Sequence, residues 1–289
     1  FAIYDVRADK LFLARDRFGK KPLFYMKSGD RLVFGSELKV ILESGDVSRE
    51  VNPSAIASYF TYGYIVGSQS IFSGIEKCPP AHFMEYDCAS GRMMVQRYWT
   101  PSFVPDFNTT EEEWTDRIRQ KFGEAVKSRL VSDVPLGAFL SGGIDSSSVV
   151  ALMARYCDQP VKTFSIGFEE DSFDESKFAR QVANHLNTEH YEDHLSVEKA
   201  ADLISEIGTW LDEPMSDGSL LPTFLLSRFV RKYVTVALGG DGGDEIFAGY
   251  PMYFGHKMAR VYDALPRFLR AGLIEPVVNN LPVSTKNLP

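Results

Sequence analysis

The chain has 289 residues, of which 44% are hydrophobic and 24% charged, a balance that excludes wholesale disorder and collagen-like or coiled-coil builds and allows one large domain or two. Its 31 Lys and Arg against 39 Asp and Glu give a net charge of −8, with no basic tail or stripe, so a broad nucleic-acid footprint is excluded and an anionic ligand needs local help from backbone N–H groups, helix ends or a metal ion. No apolar run approaches the ~20 residues that span a bilayer, and no signal peptide is visible.

Short strands come first, at Phe1–Val6, Leu11–Arg15, Leu23–Lys27 and Leu32–Phe34, with Ser28-Gly29-Asp30 as a hairpin turn. Helical spacing follows near Ser36–Leu42 and again after Asn52-Pro53, where Asn caps and Pro suits the first helical position. More strand-like sequence runs to Trp99. Between Thr100 and Thr110 two prolines and small polar residues mark a boundary, so 101–110 reads as a linker. Thr110 with Glu113 forms a capping box, after which Trp114, Ile118, Phe122, Val126 and Leu130 recur on one helical face.

From there strands and helices alternate. Strands are expected at Leu136–Leu140, Val161–Phe168, Glu189–Asp193 and Val234–Leu238, and helices at Asp145–Tyr156, Glu175–Leu186, Val197–Leu211 and Leu220–Tyr233. Such alternation predicts an α/β fold, a parallel sheet with helices on both faces, in which ligands sit beyond the carboxyl ends of the strands. The loops after Leu140, Phe168 and Leu238 are therefore where chemistry is expected. The acidic run Glu169–Asp171 with Asp174 and Glu175 reads as a solvated helix start.

After the apolar strand at 136–140 comes Ser141-Gly142-Gly143-Ile144-Asp145-Ser146-Ser147. A Gly-Gly turn alone would suit any tight strand-to-helix connection. Here the glycines let the backbone approach a ligand, three serines offer hydroxyls, and the helix start offers free N–H groups, which together make a cradle for phosphate oxygens. An Asp inside such a cradle would repel phosphate unless a divalent cation lay between them, so Asp145 implies Mg²⁺. No G-x-x-x-x-G-K-[ST] string is present, which excludes the commoner phosphate loop.

This string resembles the pyrophosphate-binding loop of the ATP pyrophosphatase (PP-loop) superfamily, whose members adenylate a substrate and release PPi. A second segment, Leu238-Gly239-Gly240-Asp241-Gly242-Gly243-Asp244-Glu245-Ile246-Phe247-Ala248-Gly249-Tyr250, resembles the SGEGSDE-x-F-x-G-Y motif of glutamine-dependent asparagine synthetases. The first strings of the chain, Phe1-Ala2-Ile3-Tyr4-Asp5, the run from Arg15 to Tyr25 and Ser36-Glu37-Leu38-Lys39, resemble the last third of the N-terminal-nucleophile (Ntn) glutaminase domain of that family. Read without this context, Arg15–Arg17 would be a solvated charge run.

The resemblance implies residues 1–100 as the end of an Ntn glutamine amidotransferase domain and 111–289 as a truncated synthetase domain of adenine nucleotide α-hydrolase-like, PP-loop build, so the chain reads as a fragment. It implies ATP and Mg²⁺ as cofactors, with Leu140, Ser141, Gly142, Gly143, Asp145, Ser146, Ile166, Gly239 and Gly240 holding the nucleotide. Asp145 and Asp244 would share the metal, and Ser141 and Asp241 would be catalytic. Asp241 stands where the family has a glutamate, and Gly239 where it has a serine. Ile166 would meet adenine through its main chain. The glutaminase nucleophile, an N-terminal Cys in this family, has no match in this chain.

The implied activity is a carbon–nitrogen ligase reaction in the cytoplasm, making asparagine from aspartate and glutamine-derived ammonia through a β-aspartyl-adenylate, with AMP and PPi released. The implied partners are small molecules, namely aspartate, glutamine or ammonia, and ATP, with no nucleic acid and no membrane; a homodimer is compatible with this reading. Asp212-Glu213-Pro214 matches a segment frequent in bacterial relatives, yet no Arg lies between Asp212 and Pro222 to hold an acceptor carboxylate. Two alternatives stay open: a related amidotransferase acting on another carboxylate, in a secondary-metabolite or surface-sugar pathway, and a nucleotide-binding module without turnover.

Cys78, Cys88 and Cys157 form no CxxC pair and fit a reducing compartment, and the internal Cys78 and Cys88 are expected to be inert. The five histidines lack zinc spacing, and His82 in Pro79-Pro80-Ala81-His82 is expected to serve a turn.

Overall fold

The computed structural model describes residues 1–45, 47–169 and 174–280, with the backbone alone at 197–200. It contains two compact units, Phe1–Lys121 with Asp193–Phe229, and Phe122–Glu192 with the described residues from Val230 on.

In the first unit β1 (Ala2–Asp5), β2 (Lys10–Ala14), β6 (His82–Asp87) and β7 (Met93–Arg97) form an antiparallel sheet in the order β1-β2-β6-β7. A second sheet has the order β4-β3-β5, from β3 (Phe24–Ser28), β4 (Arg31–Gly35) and β5 (Glu76–Lys77). Leu13, Tyr25, Cys78 and Met84 make one apolar cluster, and Phe24, Met26, Leu38, Ile41 and Ile75 another, the latter including α1 (Leu38–Leu42). Helix α2 (Pro53–Tyr62) starts as its sequence dictates: the Asn52 side chain accepts the Ser54 N–H at 3.0 Å and Pro53 opens the first turn.

Arg15 and Asp16 are builders of a loop. The Arg15 guanidinium donates to the carbonyls of Lys21, Cys78 and Gly19 at 3.0, 2.7 and 2.8 Å, and the Asp16 carboxylate accepts the N–H groups of Phe18, Lys20 and Lys21. Arg17 stacks over Trp99, 5.6 Å from the ring centre.

Helix α3 (Glu111–Arg129) carries the expected capping box, with Glu113 N–H on Thr110 Oγ1 at 3.3 Å and Thr110 N–H on Glu113 Oε2 at 3.0 Å. Its apolar stripe is used only in part. Phe122, Val126 and Leu130 join the core of the second unit, whereas Trp114 and Ile118 are exposed. Periodicity marks a face able to bury, and packing partners decide how much of it does.

The second unit is built on β8 (Leu136–Phe139), α4 (Ile144–Tyr156), β9 (Lys162–Phe168), α5 (Ser176–His185), the first part of β10 (Glu189–Leu195), up to Glu192, and β11 (Val236–Leu238). The sheet order is β10-β9-β8-β11, with β8 parallel to both β9 and β11. The α/β fold expected from the alternating pattern is present. Its core gathers Val126, Ala138, Leu140, Val149, Val150, Met153, Val161, Ala179 and Ala183.

Strand β11 begins two residues later than its apolar run, at Val236. The register pairs Val236 with Leu136, the residue after Pro135, and the N–H groups of Thr235 and Val236 both reach the Pro135 carbonyl. Proline has no N–H to carry the ladder further. Helices α6 (Val197–Trp210) and α7 (Leu220–Val230) lie in the connection between β10 and β11, and α8 (Gly243–Phe247) and α9 (Pro251–Asp263) follow.

Residues 170–173 of the acidic run lie outside the described residues. Glu175, the N-cap of α5, makes no side-chain cap bond, and Asp174 before it accepts the N–H and hydroxyl of Ser176 at 3.1 and 3.0 Å. Beside it, a polar network ties β9 to β10. His190 Nδ1 lies 2.9 Å from Thr163 Oγ1, and its Nε2 lies 3.3 Å from Ser165 Oγ and 3.1 Å from Glu192 Oε1. Burial pulls the imidazole below the usual histidine range against the opposing pull of Glu192.

Two predictions follow from these contacts. Gly142 has φ +86°, and a Cβ there would meet the Phe178 backbone of α5 at 2.5 Å, so Gly142→Ala is expected to cost about 2–3 kcal/mol in urea unfolding; an unchanged midpoint would show that α5 yields. Because His190 is held neutral only in the folded chain, stability is expected to decline as pH falls below about 6.5, and His190→Gln should flatten that slope.

Candidate functional site

Strands β8, β9 and β10 run outward in one direction, and the chain then returns to lay β11 on the other side of β8. The order therefore reverses between β8 and β11, the place where open parallel sheets leave a crevice beyond their strand ends. Both glycine-rich loops leave from those two strands. Leu238 pairs with Ala138, so the loops emerge side by side.

Leu140 is buried, 1% exposed, and its N–H donates to Phe164 O at 2.8 Å, which pins the first loop to β9. Ser141 and Ser146 then close that loop on itself. Their hydroxyls lie 2.9 Å apart, Ser141 N–H donates to Ser146 Oγ at 3.2 Å, and Gly143 N–H donates to Ser141 Oγ at 3.2 Å. Gly143, at the start of α4, supplies no side-chain cap, so the helix presents its first N–H groups uncapped by that residue and its positive dipole end at the loop. Asp145 sits in the first turn, half-buried.

The second loop lies directly against the first. A Cβ on Gly240 would stand 2.8 Å from Ser146 N and 3.0 Å from Asp145 Cβ, and one on Gly243 would stand 2.5 Å from Asp145 Cγ. At Gly240 the approach to the backbone of Ser146 excludes a side chain, whereas a side chain at Gly243 would have to displace the Asp145 carboxylate; Gly243 N–H closes a turn onto Gly240 O at 3.3 Å. Gly239 makes a different contact: a Cβ there would meet the Asp241 carboxylate at 2.6 Å, so Asp241 folds toward its own loop.

Asp244 occupies the first turn of α8, the helix whose first residue touches Asp145, and its carboxylate lies over Gly249. Tyr250 donates to Glu245 at 2.8 Å, and that bond together with burial pushes its phenol up to about 12. Ile166 is half-buried in β9, the strand next to β8.

Ser141, Gly142, Gly143, Asp145, Ser146 and Gly240 thus share one locality, which Gly243 joins. Gly243 was legible only as one of several loop glycines; its contact with Asp145 spans about a hundred residues of sequence. Among the described residues no group of three or more His, Cys, Asp or Glu gathers to hold a metal ion. The hard carboxylate oxygens of Asp145 and Asp244 are of the kind Mg²⁺ takes alongside phosphate oxygens.

Asp212 and Glu213 are engaged elsewhere. Asp212 Oδ2 accepts Leu38 N–H at 2.7 Å, and Glu213 accepts Ile71 N–H at 2.9 Å and pairs with Lys77 Nζ at 2.6 Å. Cys78 is buried, and burial pushes its thiol up; the same cause leads at exposed Cys88, which leaves both poor nucleophiles. His82 Nδ1 lies 2.8 Å from Pro80 O, as a turn residue would, and Ala81 takes a left-handed φ of +59°.

Residues 117–286 match the asparagine synthase family, and residues 1–99 match a glutamine amidotransferase domain. A putative glutamine-hydrolyzing asparagine synthetase 2 of Methanocaldococcus jannaschii is 35% identical over 274 residues, 93% of this chain and 53% of the relative. Glutamine-hydrolyzing asparagine synthetase 1 of Bacillus subtilis is 30% identical, covering 95% of this chain and 43% of its own length. The amidase chyE of Penicillium rubens is also 30% identical, over 88% of this chain and 40% of its own. The chain thus spans about half the length of these relatives. With both halves matched and the two loops meeting at the sheet's switch point, the chain belongs to the asparagine synthase family.

Proposed function

We propose that the second unit binds ATP across the two glycine-rich loops and activates a carboxylate, aspartate in the first instance, as its acyl-adenylate. The observation that carries this reading is the packing of Gly240 and Gly243 against Ser146 and Asp145. It brings the backbone of the second loop to the hydroxyls of the first loop and the N–H groups that open α4, in a chain whose net charge of −8 otherwise repels a triphosphate.

In the reaction a carboxylate oxygen of the acceptor attacks the α-phosphorus of ATP, the bond to the β-phosphate bridging oxygen breaks, and PPi leaves. Ammonia then attacks the acyl carbon, AMP departs, and the amide loses a proton. Ser141 and the N–H groups opening α4 would stabilise charge growing on the leaving pyrophosphate. Gly239 and Gly240 would let the main chain approach the nucleotide, Leu140 and Ile166 would flank its base and sugar, and Asp241 would act at the activated acyl group. Asp145 and Asp244 would hold Mg²⁺, which supplies charge neutralisation to the β- and γ-phosphates when bound. Residues 1–99 belong to the domain type that would release ammonia from glutamine. The free thiols of Cys78, Cys88 and Cys157 fit a reducing compartment such as the cytoplasm, and no described helix is long and apolar enough to cross a membrane.

A second reading keeps the chemistry and changes the acceptor. It is favoured by the engagement of Asp212 and Glu213 with Leu38, Ile71 and Lys77, and by the lack of an Arg from Asp212 to Pro222. A panel of carboxylates assayed with added ammonia for AMP and PPi separates the two, and AMP formation with any of them eliminates a module without turnover. For the loop itself, Ser141→Ala in the whole protein is expected to slow aspartate-dependent ATP–PPi exchange about a hundredfold, the usual effect of losing one oxyanion donor; exchange at the wild-type rate would remove the first loop from the chemistry.

A further inference from the structure

The Asp-Glu pair between α6 and α7 has the composition of a metal or substrate site, yet its oxygens face the chain itself. Residues 210–216 reach four separated places of the N-terminal part. Asp212 Oδ2 accepts the first N–H of α1, at Leu38, where the helix's own N-cap Glu37 makes no side-chain bond. Lys39 Nζ donates to Trp210 O at 2.9 Å and stands 3.4 Å from Asp212 Oδ1. Glu213 takes Ile71 N–H on one oxygen and Lys77 Nζ on the other, and Ser216 N–H donates to Gly63 O at 2.8 Å. Lys77 also donates to Ile65 O at 3.2 Å.

The central pair is sheltered: the Lys77 and Glu213 side chains are 14% and 15% exposed. A sheltered pair of this kind is either fully made or costly, since removing one partner strands the other's charge. The contacts lie within one compact unit, but they join residues of the glutamine amidotransferase match, 1–99, to residues of the asparagine synthase match, 117–286. From Ser216 the chain runs through α7 into β11 and the Gly239–Gly243 loop.

We propose that Asp212, Glu213 and Lys77 form a charged clasp between the two family domains, and that these positioning residues keep glutamine hydrolysis in step with carboxylate activation. The second half of this statement rests on the function proposed above. The clasp binds no substrate; it sets where the α6–α7 segment is tethered, ahead of β11 and the second glycine loop in the chain.

The test is carried out in the whole protein with Lys77→Met, Glu213→Gln, the double variant and Lys77→Arg. Lys77→Met is expected to raise glutamate released per AMP formed roughly fivefold or more, the low end of typical coupling between sites. AMP formation supported by added ammonia should be unchanged. The double variant should sit closer to wild type than Lys77→Met, because no carboxylate is left unpaired, and Lys77→Arg should restore the ratio. A wild-type ratio in Lys77→Met, or an equal loss of ammonia-supported AMP formation, overturns the clasp. Should the wild-type protein form no AMP with aspartate, the acceptor proposed above falls, and the clasp is still read by limited proteolysis: cleavage between residues 210 and 220 in Lys77→Met but not in wild type supports it, and identical patterns overturn it.

Discussion

The second unit depends on a backbone contact between two loops that are a hundred residues apart in sequence. Gly240 lies against the first turn of α4 at a distance that excludes a Cβ, and Gly243 lies against the Asp145 carboxylate, which a Cβ there would displace. This is a steric constraint before it is a chemical one. The reversal of strand order between β8 and β11 sets the two loops side by side, and only residues without side chains can use the space that remains. Gly142 extends the same logic to the other side, where the loop meets the backbone of α5.

An acidic chain that handles an anion has to do so with dipoles. The first loop holds its own hydroxyls together through the Ser141–Ser146 bond, without a cation. The start of α4 adds N–H groups of fixed orientation, and such preorganised groups need no rearrangement when charge develops. The carboxylates of Asp145 and Asp244 would be a liability in that setting without a divalent ion to neutralise, which links the placement of the acids to the chemistry proposed for them.

Charged side chains elsewhere serve architecture. Arg15 spans three carbonyls and Asp16 gathers three N–H groups in one loop, while Asp212 caps α1 by accepting Leu38 N–H and Glu213 supplies the acceptors that Ile71 N–H and Lys77 need. Residues that composition alone would count as solvated surface or as ligands are thereby committed to holding segments together. A buried charge pair tolerates little misplacement, and this makes it a sensitive link between parts of the chain.

Much of the plan was legible in the linear chain because it rests on local rules. Periods of two and 3.6 marked the strands and helices, the Asn52-Pro53 and Thr110–Glu113 pairs marked helix starts, and strand–glycine–helix order marked the loops. Three features needed the tertiary structure. Burial of the α3 stripe stops at Phe122, since amphipathic spacing says which face can pack and not what awaits it. Strand β11 starts at Val236 because its neighbour β8 is preceded by a proline. The contacts of Gly243 with Asp145 and of Glu213 with Lys77 join residues about 100 and 136 positions apart, and no local pattern encodes a distance in space between such residues. Sequence by itself determined the elements, their caps and the chemical character of the loops, because these follow from the residue and its near neighbours; the tertiary structure alone decided which loops meet and which charges pair, because those depend on strand order and packing.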